Sequence, residues 1–309
     1  MKTTLCTLFE GHYHYGVASL ANSLVAANYC GELWAGYRGS LPDWVVKSDK
    51  YDADSGRFRV SNLFTICFVK LDTPLFFTYY KAVFMQLVLE DLAPDSDTVA
   101  YFDPDIVIKC KWENIERWFS GGIGVIEDVN RRLPPRHPKR IMWSNWFGTR
   151  GVHASRELEV YFNAGFISVP RQYSNFLPLW AHLCELVLDY NEGLQNIKSG
   201  HALDLFHSTD QDAMNFALTA HEALLNTAGP DAMDFTAGGY YLSHAIGSPK
   251  PWNMPHIRMA LAGYSPTVQT KAYFQHVDGP IQMFSEAELK SHRRAMRVAS
   301  AIGRFYQRR

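Results

Sequence analysis

The stretch Tyr101-Phe102-Asp103-Pro104-Asp105-Ile106-Val107-Ile108 holds two carboxylates one residue apart between two apolar runs. Its flanks, residues 98–102 and 106–108, are rich in β-branched and aromatic side chains and predict buried strands. Pro104 fixes φ and has no N–H to donate, so the chain leaves the first strand at a defined angle and both carboxylates converge on one point. An ordinary Asp-Pro turn, in which Asp103 only caps the backbone, is the alternative interpretation.

Two carboxylates held this close repel each other, and a divalent cation removes that repulsion. Oxygen ligands of this kind suit magnesium or manganese, ions that also bind diphosphate. Open α/β sheets bind their ligands outside the carboxyl ends of the strands, which is where Asp103 and Asp105 are expected. The stretch therefore predicts a metal site at a strand end.

Strands and helices alternate through the first hundred residues. The predicted strands cover 3–9, 33–37, 64–69 and 98–102, and the predicted helices cover 17–25 and 80–88. Successive β-α-β units imply parallel strands joined by right-handed crossovers. The predicted fold class is therefore α/β, with a Rossmann-like, mixed but mostly parallel sheet flanked by helices.

Composition limits the classes of function. The chain has 309 residues, 47% of them hydrophobic, and a formal net charge of −1, so it can bury a large core and is a poor candidate for a general nucleic-acid binder. Its five cysteines are scattered without a C-x-x-C pair, which is typical of reduced thiols in cytoplasm. We expect no signal peptide in the first nine residues and no membrane-spanning helix, because no apolar run approaches roughly 18 residues.

Residues 121–169 contain three further candidates. The cluster at 121–124 (GGIG) lacks the spacing of a nucleotide-binding fingerprint and predicts a loop, followed by a short strand that ends at Glu127-Asp128. The segment 131–146 is Pro-rich, basic and aromatic without periodicity, which fits either a mobile loop over the site or a solvated connector. A strand predicted over 161–169 is interrupted by Asn163-Ala164-Gly165, whose small side chains allow a ligand or another backbone to approach.

Two motifs follow in the C-terminal half. Ser208 and Gln211 have the spacing of a helix capping box, and Asp210 and Asp212 exceed what such a cap needs. Between His244 and Trp252 the chain reads HAIGSPKPW, in which a His, a Gly and a Lys recur at steps of three and two prolines lock the backbone. Such a segment presents a metal ligand, a bare stretch of backbone and a cation to one diphosphate.

The C-terminal stretch 290–309 is basic and amphipathic. Lys and Arg side chains alternate with apolar ones over this stretch, and it contains no acidic residue. One interpretation is a helix that lies on an anionic membrane surface, where each Lys or Arg contributes about 1 kcal/mol. The other is a solvated terminal helix that packs on the domain.

Four motifs resemble, in the same order, those of glycosyltransferase family 8, a retaining family with the GT-A fold that includes glycogenin and bacterial lipopolysaccharide galactosyl- and glucosyltransferases. They are Asp103-Pro104-Asp105, Phe162-Asn163-Ala164-Gly165, Asp210-Gln211-Asp212-Ala213-Met214-Asn215 and His244-x-x-Gly247-x-x-Lys250-Pro251-Trp252. The resemblance covers residues 3–255. It implies a GT-A domain over 1–260 and a C-terminal extension over 261–309 that ends in the basic tail.

The resemblance also implies roles for individual residues. Asp103, Asp105 and His244 would bind manganese, or magnesium in its place, and the metal would bridge the two phosphates of a nucleotide sugar. Lys250 and the backbone near Gly247 would hold the diphosphate. The other expected contacts to the donor come from Leu8, Phe9, Tyr13, Lys81, Asn163, Ala164, Asp210 and Gln211.

Two departures from the family pattern concern the donor. Glu10-Gly11-His12 replaces the acidic-Asn sequence that usually meets uracil and ribose. Lys81 lies several residues further from Asp103 than the equivalent cation of the family. The exact base and sugar are therefore left open, with UDP-galactose or UDP-glucose as the expected donor.

The expected reaction is metal-dependent transfer of a hexose from a UDP-sugar to a glycan or glycolipid acceptor, with retention of configuration. The metal and Lys250 would stabilise the departing diphosphate, and Gln211 or Asp212 would stabilise positive charge on the sugar. Segments 131–150 and 201–207 are the expected acceptor loops. The expected context is synthesis of cell-envelope polysaccharide or lipopolysaccharide, in the cytoplasm and at the inner face of the membrane.

The residues alone leave four alternatives open. An inverting transferase would use Glu127-Asp128, with Asp128 as the base. A nucleotide-sugar hydrolase would use water as the acceptor, and a nucleotidyltransferase would share the metal and the sheet. The fourth alternative is a non-catalytic scaffold that binds a nucleotide sugar.

Overall fold

The computed structural model of the chain describes residues 2–195, 198, 201 and 204–306. The strands are β1 (Thr3–Glu10), β2 (Gly31–Arg38), β3 (Tyr51–Asp52), β4 (Arg57–Arg59), β5 (Phe64–Lys70), β6 (Thr98–Phe102), β7 (Ile106–Ile108), β8 (Ile123–Glu127), β9 (Phe162–Pro170), β10 (Leu225–Ala228) and β11 (Leu242–His244). The α-helices are α1 (His14–Ala26), α2 (Asp43–Val46), α3 (Phe77–Leu87), α4 (Trp112–Phe119), α5 (Pro138–Gly148), α6 (Phe176–Tyr190), α7 (Thr209–Ala220), α8 (His256–Leu261), α9 (Val268–Gln275) and α10 (Glu286–Phe305). The predicted α/β class is confirmed, as is the alternation of strands and helices in the first hundred residues.

The sheet topology is mixed. Nine of the described strands form one sheet in the order β10-β8-β9-β6-β1-β2-β5-β4-β3, and β7 pairs with β11 in a separate two-stranded sheet. β1 runs parallel to β6 and β8 runs parallel to β10, whereas β9 is antiparallel to both of its neighbours, β6 and β8. A large sheet that combines parallel and antiparallel pairs is common in α/β proteins.

Residue contacts divide the chain into two compact units. The first contains residues 1–8, 70–103 and 115–230, and the second contains residues 9–69, 104–114 and 231–309. The predicted division into a domain over 1–260 and an extension over 261–309 stays a prediction.

In the first unit, a bulge lies beside the end of β6. The pairing of β8 with β9 shifts so that Val125 faces Ile167, whereas the next residue, Ile126, faces Asn163. The interruption predicted at Asn163-Ala164-Gly165 is therefore a β-bulge, a device that redirects side chains near functional sites. The backbone N–H of Asp103 donates to the carbonyl of Gly165 at 2.7 Å, so the bulge adjoins the first of the paired carboxylates.

In the second unit, the chain turns sharply after β1. Gly11 has φ +52°, a left-handed conformation that glycine adopts readily, and it opens a 3-10 turn that leads into α1. A Cβ atom on Gly16 in the first turns of α1 would lie 2.3 Å from the carbonyl oxygen of Pro104 and 3.0 Å from the ring of Trp252. Only glycine fits at position 16 while α1 packs this closely on the Asp-Pro-Asp turn.

The loop predicted over 131–146 is wrong for its second half, which belongs to helix α5. Pro138 stands in the first turn of α5, where its missing N–H is not needed, and the side chain of His137 caps the helix by accepting from the backbone N–H of Lys139 at 3.1 Å. Trp143 is fully buried, and Arg140 donates to the carbonyls of residues 133 and 160 at 2.7 Å each. A buried arginine breaks the apolar period, which is why the sequence pattern did not reveal the helix.

The predicted capping box at Ser208 and Gln211 is also wrong. Ser208 is the N-cap of α7, but its side chain makes no capping hydrogen bond. The Oδ2 atom of Asp212 accepts instead from the backbone N–H groups of His207 at 2.8 Å and Ser208 at 3.1 Å. The acid takes the capping role, and the side chain of Gln211 is left for other partners.

The glycine-rich loop predicted at 121–124 extends only to residue 122. Ile123 and Gly124 belong to β8. A Cβ atom on Gly124 would lie 2.4 Å from Ser168 and 2.6 Å from Phe119, so this glycine allows close packing of the sheet. Among the helices of the described residues, none is both long and apolar enough to cross a membrane.

We expect Gly16→Ala to lower the free energy of unfolding by about 1–3 kcal/mol, because the new methyl group would overlap a backbone oxygen that cannot move aside. Urea denaturation followed by circular dichroism measures the change. Gly148→Ala is the matched control, since a Cβ atom there would have its nearest neighbour at 3.6 Å. Equal stability of the two variants would contradict the packing described for Gly16.

Candidate active site

Asp103, Asp105 and His244 lie together, as the motifs predicted. One ligand atom from each lies within 4.8 Å of the other two. Asp103 follows β6, Asp105 precedes β7, and His244 ends β11, where it pairs with Ile106 of β7. Two carboxylates and an imidazole are donors that bind divalent cations, so the donor set fits a divalent cation.

Asp105 is a buried carboxylate with two nitrogen partners. Its Oδ1 atom lies 3.2 Å from Nε2 of His244, and its Oδ2 atom contacts Nζ of Lys250. Burial alone would raise the pKa of Asp105, but His244 and Lys250 outweigh burial and hold this pKa well below its usual value. Asp105 is therefore ionised at neutral pH, as a metal ligand must be.

Lys81 is a buried cation on α3 that joins three predicted site residues. Its Nζ atom lies 3.1 Å from Oδ1 of Asp103 and 3.4 Å from Oδ2 of Asp210, and it donates to the carbonyl of Ala164 at 3.0 Å. Burial works to lower the pKa of Lys81, but the two carboxylates outweigh it and raise this pKa above its usual value. Lys81 thus stays charged and balances the buried Asp210 and the partly buried Asp103.

Gln211 is oriented by a buried hydrogen-bond network. Its Oε1 atom accepts from the backbone N–H of Ala164 at 3.0 Å, and its Nε2 atom donates to Oδ2 of Asp128 at 3.1 Å. The same oxygen of Asp128 accepts from Nδ2 of Asn163 at 2.9 Å, and the other oxygen accepts from the backbone N–H of Asn130 at 2.6 Å. Asp128 therefore fixes the amides of Gln211 and Asn163, a role that the sequence did not reveal.

Asp212 is completely buried at the start of α7. Its Oδ1 atom accepts from the hydroxyl of Tyr161 at 2.5 Å and lies 3.5 Å from Nη1 of Arg131. Burial raises the pKa of Asp212, although Tyr161 and Arg131 oppose this effect. These contacts tie the start of α7 to the start of β9, and the predicted role of Asp212 toward a sugar stays a prediction.

The residues predicted to contact the rest of the donor fall into two groups. Leu8 and Phe9 are buried in β1, and Phe9 stacks on Tyr37 with ring centroids 5.9 Å apart. Tyr13 lies nearer the predicted phosphate site, because its ring centroid is 5.9 Å from Nζ of Lys250. Gly247 has φ +85° and open space around the position of a Cβ, and its predicted contact with the diphosphate stays a prediction.

Comparison with known proteins supports the fold. No protein-family model and no curated protein sequence matches this chain. Solved structures that match with low identity include an active-site mutant of LgtC in which glutamate replaces a glutamine; the TM-score is 0.55 and the identity 15%, and the match covers 92% of this chain and 98% of that chain. The bifunctional glycosyltransferase WbbM in its apo form matches with a TM-score of 0.54 and 12% identity, over 95% of this chain and 51% of that chain. The glycosyltransferase GlyE of Streptococcus pneumoniae TIGR4 matches with a TM-score of 0.52 and 10% identity, over 94% of this chain and 63% of that chain. The chain has the fold of these glycosyltransferases.

The GT-A type of fold predicted from the motifs is thereby confirmed. Membership of glycosyltransferase family 8 stays a prediction. This chain spans about half of WbbM and under two thirds of GlyE, so both of those chains contain further segments.

We expect Lys81→Met to lower the free energy of unfolding by about 3–5 kcal/mol, because it leaves Asp103 and Asp210 without their shared buried cation. Urea denaturation measures the loss. Lys47→Met is the control: Lys47 pairs with Asp43, but both side chains are more than 70% exposed, so the change should stay below about 1 kcal/mol. A similarly small effect for Lys81→Met would contradict the charge balance described here.

Proposed function

We propose that this protein is a metal-dependent, retaining glycosyltransferase that moves a hexose from a UDP-sugar to a glycan or glycolipid acceptor. The observation that carries the proposal is the convergence of Asp103, Asp105 and His244 within 4.8 Å, with Lys250 in contact with Asp105. The fold shared with LgtC, WbbM and GlyE supports the same class of reaction. The imidazole ligand favours manganese over magnesium, since magnesium prefers oxygen ligands alone.

The phosphate side of the site needs positive charge. A bound divalent cation supplies charge that stabilises the departing diphosphate. Lys250 provides a second cation from a segment that is anchored by Pro251 and the buried Trp252. The open backbone at Gly247 allows a phosphate to approach the same segment.

The sugar side of the site is formed by Gln211 and the residues joined to Lys81. The LgtC structure carries its glutamine-to-glutamate replacement in the active site, and we assign the corresponding role to Gln211. Its amide is held between Ala164 and Asp128, so the dipole is set before the reaction begins. Such a preorganised neutral group stabilises positive charge on the anomeric carbon without acting as a strong nucleophile.

The contacts of Asp128 favour retention over inversion. An inverting base must present an oxygen to the acceptor hydroxyl. Both oxygens of Asp128 already accept hydrogen bonds, from Asn130, Asn163 and Gln211, and the residue is buried. Asp128 acting as a base would have to release the amides that it holds in place.

We further propose that helix α10 binds the anionic inner face of the membrane. The helix starts at a capping box formed by Ser285 and Glu288, and Ala299 on its opposite face is buried. Its exposed cations are Lys290, Arg293, Arg294, Arg297 and Arg304. Phe305, which is 91% exposed, and Val298 lie along the same face, and Lys271 of α9 lines a groove with three of these arginines.

The remaining parts of the proposal concern the substrates. We propose galactose or glucose as the transferred hexose and cell-envelope polysaccharide or lipopolysaccharide as the product. Of the expected acceptor segments, 131–150 is described, whereas Ala202 and Leu203 of segment 201–207 lie outside the described residues. Arg308 and Arg309 of the basic tail also lie outside them.

We expect UDP to raise the melting temperature of the protein only when manganese is present, because the metal carries the diphosphate. At a ligand concentration 100 times the Kd, the gain in stability is about 2.7 kcal/mol. The metal-dependent gain should disappear in Asp105→Asn and His244→Ala. His182→Ala, which removes a half-exposed histidine of α6, is the control and should behave like the wild type.

Transfer activity tests the same proposal directly. Transfer of a hexose from a UDP-sugar to an acceptor should require manganese, and the rate of transfer should fall at least a hundredfold in His244→Ala. Full activity in that variant, or free sugar released at the same rate with and without acceptor, would contradict the proposed reaction.

The membrane proposal predicts that the protein sediments with vesicles containing an anionic phospholipid and not with neutral vesicles. Replacing Arg294, Arg297 and Arg304 by Ala should weaken this binding by about 3 kcal/mol at low salt, or more than a hundredfold. The matched control replaces the exposed Lys47, Arg59 and Lys70, which lie on other elements. Equal binding of the two triple variants would contradict a membrane role for α10.

A further inference from the structure

Phe235 packs beside the imidazole of His244, one of the three residues of the candidate metal site. The two ring centroids are 5.8 Å apart and the rings are tilted by 39°. Aromatic rings attract each other over distances of this size. Because Nε2 of His244 also lies 3.2 Å from Oδ1 of Asp105, the imidazole has a partner at its edge and a neighbour beside its ring. The phenyl ring of Phe235 therefore restricts rotation of the imidazole.

The place of Phe235 depends on the backbone of the residue before it. Asp234 has φ +58°, a left-handed conformation that Asp and Asn adopt more readily than other residues with a side chain. Its carbonyl accepts from Nε2 of Gln269 on α9 at 2.5 Å, and its N–H donates to the carbonyl of Asp231 at 3.0 Å. These bonds fix the direction in which the chain continues into Phe235.

A buried ion pair holds Asp234 in this conformation. Its side chain is 4% exposed, and Oδ1 accepts from Nζ of Lys109 at 2.6 Å. The other oxygen, Oδ2, is buried without a hydrogen-bond partner among the described residues, so the carboxylate depends on Lys109. Nζ of Lys109 also donates to the carbonyl of Gly239 at 2.6 Å. A Cβ atom on Gly239 would lie 2.6 Å from Oδ1 of Asp234, so glycine allows the loop to close around the pair.

Lys109 joins this loop to the strands that carry His244. It directly follows β7, and its N–H donates at 2.9 Å to the carbonyl of Tyr241, the residue before β11. Within the strand pair, Ile106 of β7 lies opposite His244 at the end of β11. The backbone of Lys109 thus fixes the start of β11, while its side chain fixes Asp234. His244 and Phe235 are consequently held by the same lysine.

We propose that Lys109, Asp234 and Phe235 are positioning residues that orient the imidazole of His244 toward a divalent cation. The inference rests on the proposed function, because it assumes that His244 is a metal ligand. An imidazole that is already oriented loses less rotational freedom when the ion binds, so the affinity for the ion is higher. The three residues act through His244 and need no contact with the substrate.

Manganese alone is the probe for the role of Phe235, with free ion measured by electron paramagnetic resonance. Phe235→Leu keeps apolar bulk but removes the ring, so the affinity for manganese should fall about tenfold. Phe284→Leu is the matched control. Phe284 is also partly buried and packs on a histidine, His292, with centroids 5.0 Å apart, but His292 is not one of the three candidate ligands. This control should bind manganese like the wild type.

A pair of substitutions at Asp234 tests the role of the ion pair. Asp234→Asn keeps an acceptor for Lys109 and a residue type that tolerates the left-handed conformation, so the affinity for manganese should stay within about threefold of the wild type. Asp234→Ala removes the acceptor and disfavours that conformation, so it should weaken manganese about as much as Phe235→Leu does. Circular dichroism at the assay temperature checks that each variant is folded.

Nuclear magnetic resonance of the protein labelled with ¹³C-histidine gives a readout without metal. The ring of Phe235 shifts the resonances of a neighbouring imidazole, so the signals of His244 should move in Phe235→Leu and in Asp234→Ala and stay in place in Asp234→Asn. Signals that do not move in the folded Asp234→Ala variant would overturn the step from the ion pair to Phe235.

The binding results separate this inference from the proposed function. Wild-type affinity in Phe235→Leu, or an equal loss in Phe284→Leu, would overturn the positioning role and leave the proposed function standing. A wild type that does not bind manganese, or binds it equally well after His244→Ala, would overturn the proposed function and this inference together.

Discussion

The need to balance the negative charge of its carboxylates is the constraint on which this site depends. Asp105 and Asp210 are buried, where water screens charge poorly, and Asp103 is partly buried; each of the three carboxylates pairs with a cation from another part of the chain. Lys81 of α3 serves Asp103 and Asp210, while Lys250 and His244 serve Asp105. Charge balance therefore decides which segments must meet, and Asp103, Asp105 and His244 end close enough together that they could hold a metal ion.

The fold class and the three residues of the candidate metal site were predictable from the sequence because they follow from local patterns. Apolar runs bounded by Gly and Pro mark the strands, and an Asp-Pro-Asp turn after a buried strand has few stable arrangements. Helix α5 was missed for the opposite reason: its buried face includes Arg140, which satisfies its charge by binding backbone carbonyls from distant residues. The spacing of apolar side chains gives no indication that a charged side chain will be buried against partners far away in the sequence.

The parts of the site that escaped prediction are contacts between segments far apart in sequence. Asp128 orients Gln211 across 83 positions, and Lys109 pairs with Asp234 across 125. No spacing rule links such residues, since only the folded sheet brings them together.

The interleaved chain path has a consequence for how the protein forms. Each unit is built from segments that are separated by dozens of residues in the sequence, and the second unit contains residues 231–309 as well as residues 9–69. During synthesis that unit cannot close until residues 231–309 have emerged. High contact order of this kind slows folding and prolongs exposure of unpaired strands, so we expect the newly made chain to rely on chaperones.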